Sequence, residues 1–241
     1  MSRGSDAARI RVTTPSALSP VGLRLGYGRP VAATMTMNRV IHEAVRRDLT
    51  RLEAAVAAAR DGDVARARQL ERAYANLHRE LTQHHEAEDS IIFPYLATVG
   101  VPSELLTAMD DEHHAMADAL RQTREALSTY ASSGSAADAE RVRASVAQTR
   151  TVVDRHLDHE ERELEPLLEP HLESEEWKDV QKRLRPKSLA VTGRYLAWLQ
   201  DGMSNEGRSY LRGTIPPPVL AVLGRVAGRA YHRDVAPVWR T

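Results

Sequence analysis

The sequence predicts an all-α protein, an antiparallel up-down-up-down four-helix bundle followed by a C-terminal helical extension. Three observations carry this. Apolar residues recur at spacings of three and four through four long stretches. Strand-like alternation is absent. Turn-forming residues punctuate the chain at Arg60-Asp61-Gly62-Asp63, Gly100-Val101-Pro102-Ser103 and Ser132-Ser133-Gly134-Ser135. The connections are therefore short enough to join antiparallel neighbours.

Residues 1–30 have no sustained period and carry Pro15, Pro20, Gly22, Gly26, Gly28 and Pro30, the pattern of an irregular arm. The bundle is expected over residues 31–173. Its first helix spans about 31–60 and stripes His42, Val45, Leu49, Leu52 and Val56 along one face. The second, about 64–99, places Leu70, Ala73, Leu77, Leu81, His84, Glu88, Ile91 and Ile92 together. The third follows Ser103, a suitable N-cap, and aligns Leu106, Met109, His113, Met116, Leu120 and Leu127. The fourth, about 136–172, aligns Val142, Val146, Val152, Val153, His156, Glu160, Leu164 and Leu167. Tyr74 and Tyr95 read as core, and Arg46-Arg47-Asp48 as solvated salt bridges on a helix face.

The extension is expected over residues 174–241. Trp177, Leu184, Tyr195, Trp198 and Leu199 suggest one or two helices. After Pro216-Pro217-Pro218 a further helix carries Val219, Leu220, Val222, Leu223 and Val226 on one side, with Arg225, Arg229 and Arg233 as a basic ladder. A cap on the bundle or on a partner, including a homodimer, is the favoured role. A membrane-surface or partner-binding helix is the alternative.

Two segments match residue for residue in type. From His84 to Pro94 and from His156 to Pro166, each reads His, three residues, Glu, a second acid, two residues, an apolar residue, any residue, Pro. On a helix, His84 and Glu88, and likewise His156 and Glu160, leave the same face about one turn apart. An imidazole and a carboxylate so placed can hold one metal ion or bridge two. With a rise of ~1.5 Å per residue, His42, His84, Glu88, His113, His156 and Glu160 all fall ~15–25 Å from the same end of the bundle. A carboxylate buried in an apolar stripe is costly unless it is paired or binds a cation. Glu88 and Glu160 are therefore expected to bridge two ions, His42 and His84 serving one, His113 and His156 the other. Nitrogen and oxygen donors without thiolate suit iron or manganese, and also zinc.

Composition narrows the rest. Lys plus Arg equals Asp plus Glu at 33 each, so no net field draws the chain to nucleic acid. The absence of Cys excludes disulfides and thiolate chemistry and fits the cytoplasm. No apolar run approaches the ~18 residues of a membrane span.

These residues resemble those of the hemerythrin-like (HHE cation-binding) family. The resemblance rests on His42 in Ile-His-Glu-Ala-Val-Arg-Arg-Asp-Leu, the two His-x-x-x-Glu segments ending in Pro94 and Pro166, and Glu112-His113. It covers about residues 36–170. It implies a four-helix bundle around two non-haem iron ions, oxo- or hydroxo-bridged, with His42, His84, Glu88, His113, His156 and Glu160 as ligands. It also implies a small diatomic or peroxide ligand: dioxygen, nitric oxide or peroxide. One departure stands out. Oxygen carriers of the family resemble a pattern with two His four apart on the third helix, where this chain has His113 and Ala117. That predicts an iron short of one protein ligand and favours redox reactivity over simple carriage. His85, His114 and His159 are expected around the site, as donors to the ligands or gates at its edge. Three functions stay open: a sensor or scavenger, a peroxidase- or catalase-like di-iron oxidoreductase, and a non-catalytic interaction protein with a structural or lost metal.

Overall fold

The computed structural model describes residues 1, 35–185 and 188–240, so the expected arm over residues 1–30 lies, Met1 aside, outside the described residues. Every regular element among the described residues is helical. From Met35 onward the chain forms one compact unit.

Helix α1 (Met37–Ala57) starts where the Thr36 side chain accepts from the Arg39 N–H. Helix α2 (Val64–Ala87) is capped in the same way by Asp63. It runs through a π-helical turn (Glu88–Ile92) into α3 (Phe93–Thr98). Helix α4 (Ser103–Ser133) has Pro102 at its cap, which fixes an extended backbone and makes Ser103 the first helical residue rather than the expected cap. It ends at Gly134, whose φ of 63° is the left-handed conformation that closes helices. Helix α5 (Ala136–His159) continues through a second π-helical turn (Glu160–Leu164) into α6 (Glu165–Leu168) and a 3₁₀ turn (Glu169–His171).

The four long helices pack in a ring, α1 on α2, α2 on α4, α4 on α5 and α5 on α1. The turns at residues 58–63 and 134–135 meet, with the Gly62 N–H donating to the Gly134 carbonyl at 2.8 Å and the Ala136 N–H to Asp61 at 2.7 Å. Val45, Leu49, Leu52, Leu70, Leu77, Leu81, Met116, Leu120, Val142, Val146 and Val153 fill the interior. Tyr74 and Tyr95 are buried as expected, Tyr74 donating to the Leu120 carbonyl at 2.8 Å.

Each of these two π turns leads into a short helix with a proline in its first turn, Pro94 in α3 and Pro166 in α6, where a missing N–H costs no helical hydrogen bond. In each the chain widens, so that Phe93 N–H reaches the Glu88 carbonyl and Glu165 N–H the Glu160 carbonyl, each five residues back. The wider turn shifts the inward face. Ile91 and Ile92, expected inside, are only half-buried while Phe93 is buried, and Leu167 stands 40% exposed rather than on the interior stripe.

The C-terminal helices extend two apolar clusters. Helix α7 (Glu175–Leu184) packs Trp177 and Val180 against Phe93, Leu96, Met109 and Leu164. Helix α8 (Leu189–Gln200) puts Leu196, Trp198 and Leu199 into the main core. Beyond α9 (Asn205–Thr214), helix α10 (Pro217–Val222), a π-helical turn (Leu223–Ala227) and α11 (Arg229–Asp234) form one run, followed by a 3₁₀ turn (Ala236–Arg240). This run crosses α8 at glycines, since a side chain at Gly193 would overlap Ala227. The expectation for Arg46-Arg47-Asp48 is corrected. Asp48 is 1% exposed, accepts from Trp198 Nε1 at 2.8 Å and is paired with Arg47 at 2.9 Å, while Arg46 lies 2.7 Å from both Asp158 and Glu161. The reason is that α8 covers this face of α1, so an acid there must find its partners in the interface.

Candidate metal centre

The residues of the two matching segments converge with one His from each remaining long helix. Two groups of donor atoms lie within 4.8 Å of one another: His85, His113 and His156 in one, His42, His84 and Glu160 in the other. Glu160 Oε2 stands 3.2 Å from His42 Nε2 and 3.9 Å from His156 Nε2. Glu88 stands 3.2 Å from His84 Nε2 and 3.6 Å from His113 Nε2. Each carboxylate thus spans both groups. All six expected residues, His42, His84, Glu88, His113, His156 and Glu160, are brought together.

Each lone imidazole is held from behind by an acid. His42 Nδ1 is 2.8 Å from Glu161, His113 Nδ1 is 2.7 Å from Asp89, and His156 Nδ1 is 2.9 Å from Glu112. A carboxylate on Nδ1 keeps that nitrogen protonated and turns the Nε2 lone pair toward the centre. Arg46 braces Glu161 at 2.7 Å, and Asn38 donates to the second oxygen of Glu160 at 3.0 Å. Asp89 and Glu161 are the second acids of the matching segments, so the motif contains the signal for both. Their role depends on which neighbouring helix they face, which spacing does not encode.

The three flanking histidines separate. His85 is buried, not at the site edge: its ring stacks on His113 at a centroid distance of 4.3 Å, and Phe93 stacks on His113 at 5.4 Å. His84 and His85 are neighbours turned by ~100° on the helix. They straddle its inward line, and each reaches a different donor group. Opposite Ala117, where a shortfall is expected, His85 places a third buried imidazole beside His113 and His156 that could serve an ion there. His114 is corrected as well. Its side chain is 77% exposed and bonds the Asp110 carbonyl one turn back, because the bundle interior takes His113. His159 does sit behind the site, sharing Glu112 with His156 at 3.0 Å.

The electrostatics are those of a cation site. Burial lowers His84 to about 3, lowers His156 despite the opposing pull of Glu160 and Glu112, and puts His85 well below the usual range, so their nitrogens are neutral donors at pH 7. Burial also opposes a charge on His42, but the Glu160 carboxylate 3.2 Å from Nε2 and the hydrogen bond to Glu161 outweigh it and raise its pKa to about 9. Burial, then the nearby Glu160, pushes Glu88 well above the carboxylate range. On Glu160 burial acts the same way but is outweighed by His42 and the other imidazoles, which hold it low. Among the described residues, Nε2 of His42, His84, His85, His113 and His156 and Oε2 of Glu88 and Glu160 are buried without a hydrogen-bond partner. Buried polar atoms are rarely left so. Seven facing one centre fit a metal pair.

No curated protein and no solved structure matches the chain. The family model for the hemerythrin HHE cation-binding domain matches residues 38–168, more than half of the chain and the whole of the four-helix region that holds the donor set. The chain belongs to the hemerythrin family of HHE cation-binding domains.

Proposed function

We propose that this protein is a non-haem di-iron hemerythrin-like protein that binds or reacts with dioxygen, peroxide or nitric oxide as a sensor or scavenger. The observation that carries the reading is the convergence of seven buried, unpartnered nitrogen and oxygen atoms from all four long helices. His85, His113 and His156 would hold one ion and His42, His84 and Glu160 the other, with Glu88 and Glu160 between them. Iron fits this mixed imidazole and carboxylate set, and manganese or zinc is admitted by the same donors. When bound, a pair of iron ions supplies a Lewis-acidic, redox-active site for a small ligand.

The chain's own residues supply the rest. Asp89, Glu112 and Glu161 orient three imidazoles, and Asn38 fixes the Glu160 carboxylate. Phe93 excludes water from one side of His113. We read the four long helices as the expected antiparallel bundle over residues 31–173, with residues 174–241 as an extension packed upon it. With His85 supplying a nitrogen, the ligand set itself no longer favours turnover over reversible binding, and the choice between scavenger and peroxidase- or catalase-like enzyme falls to measurement. Among the described residues no helix is long and apolar enough to cross a membrane.

The test is metal analysis of the full chain after anaerobic loading with ferrous iron, followed by exposure to peroxide, dioxygen and nitric oxide. About two iron per chain and a visible absorption band that changes with one of these ligands are expected. Peroxide turnover with release of dioxygen would assign the enzymatic alternative. A folded protein with no iron, unchanged in H84A and H156A variants, would overturn the reading.

A further inference from the structure

The helical run from α10 to α11 has two apolar sides. Leu220, Gly224, Gly228 and Tyr231 face inward and are buried. Val219, Val222 and Val226 do not join them, contrary to the one-sided stripe expected from sequence; they stand 45%, 58% and 55% exposed. Arg225, Arg229 and Arg233 lie exposed on the same outward side. Arg233 is paired with Asp234, while Arg225 and Arg229 make no ion pair among the described residues.

The charge along the chain is lopsided. Residues 180–233 carry ten Lys and Arg against two acids, whereas residues 35–179 carry 17 against 29, in a chain whose net charge is zero. Among the described residues, the four most exposed large apolar side chains after Met1, namely Leu189, Val219, Val222 and Val226, all fall in the basic segment. A neutral protein has therefore separated its charge along the chain, with these uncovered apolar side chains in the positive segment. Residues 2–34 do not suit as the occupant, since they carry five Arg and one Asp. A second copy meeting face to face would set Arg against Arg. What matches is a surface that is negative outside and apolar just beneath, the boundary of headgroups and acyl chains, where Arg stays with the phosphates while short apolar side chains enter.

We propose that the outward face of α10 to α11 is a docking surface for an anionic lipid bilayer, holding the protein peripherally with the acidic metal-binding bundle turned to solvent. The attraction would be electrostatic at range, falling off within a Debye length, and completed by the valines on contact.

The test is sedimentation of the full-length, iron-loaded protein with phosphatidylcholine vesicles, with or without about one-third phosphatidylglycerol. At about 0.05 M salt, at least tenfold stronger binding to the anionic vesicles is expected, largely lost at about 0.5 M. R225E/R229E should abolish that preference with iron content and helical spectrum unchanged, and R229Q alone should weaken it if the double variant does not fold. V222S/V226S should weaken binding at low salt. Absent binding at low salt, equal binding to both vesicles, retention in R225E/R229E, or no effect of V222S/V226S would each overturn the proposal. So would lipid-independent dimerisation lost in R225E/R229E, which would give the face to a second copy.

Discussion

Asp89 Oδ1 lies 2.7 Å from His113 Nδ1, joining the acid that follows Glu88 to a ring 24 residues further along the chain. Glu161 repeats the relationship with His42 at 2.8 Å. Each matching segment therefore supplies one carboxylate between the donor groups and a second that steers the lone His of another helix. Removing such a partner weakens metal binding by about 10–100-fold in comparable sites. D89A and E161A are expected to lose iron affinity by about that factor, with the helical spectrum retained, as read by competition with a chelator. Affinity unchanged in both would show that the acids are ordinary surface partners of the rings.

His85 and His114 are each the second His of a His-His pair, and the structure assigns them opposite fates. H85A removes one of three nitrogens from the group with His113 and His156, and is expected to lower iron content from about two to about one per chain. H114A, on the exposed face, should leave it unchanged. The reverse pattern, measured by elemental analysis, would place the third nitrogen on α4 instead.

Glu88 is buried among imidazoles, where a carboxyl without a cation is costly. Iron should stabilise the folded chain by about 2.7 kcal/mol at a free concentration a hundredfold above its dissociation constant. An E88L variant should lose most of this gain in urea unfolding. Because it removes a buried acid, its metal-free form should be at least as stable as the metal-free parent. A metal-free E88L less stable by more than about 2 kcal/mol would mean that Glu88 has a packing role that outweighs its desolvation.

Trp198 is fully buried and its indole N–H is satisfied by Asp48. W198A should cost about 3–5 kcal/mol through the cavity it leaves. W198F keeps much of the ring volume but leaves an oxygen of buried Asp48 short of a donor, at about 1–3 kcal/mol. Both are expected to keep their iron, since Trp198 does not face the donor set. Loss of iron in W198F would tie the C-terminal helices to the centre more tightly than the Trp198–Asp48 contact alone does.

The sequence by itself determined the helical class, the turns that bound the long helices, and six residues that meet. Those features are local: a periodic stripe, a Gly that can take positive φ, and a His and Glu one turn apart are written within a few residues of one another. Tertiary structure decided what depends on the neighbour. Asp89 and Glu161 differ from any surface acid only because α4 and α1 place His113 and His42 opposite them. His85 is inside and His114 outside because packing selects which side of a His-His pair the bundle interior receives. Asp48, read as solvated, is buried because α8 lies across it. The valines at 219, 222 and 226, read as one side of a packed helix, are left uncovered because glycines bring the other side of that run against α8. In each case a burial that no spacing specifies fixed the outcome, since desolvation acts on whatever surface the rest of the fold covers.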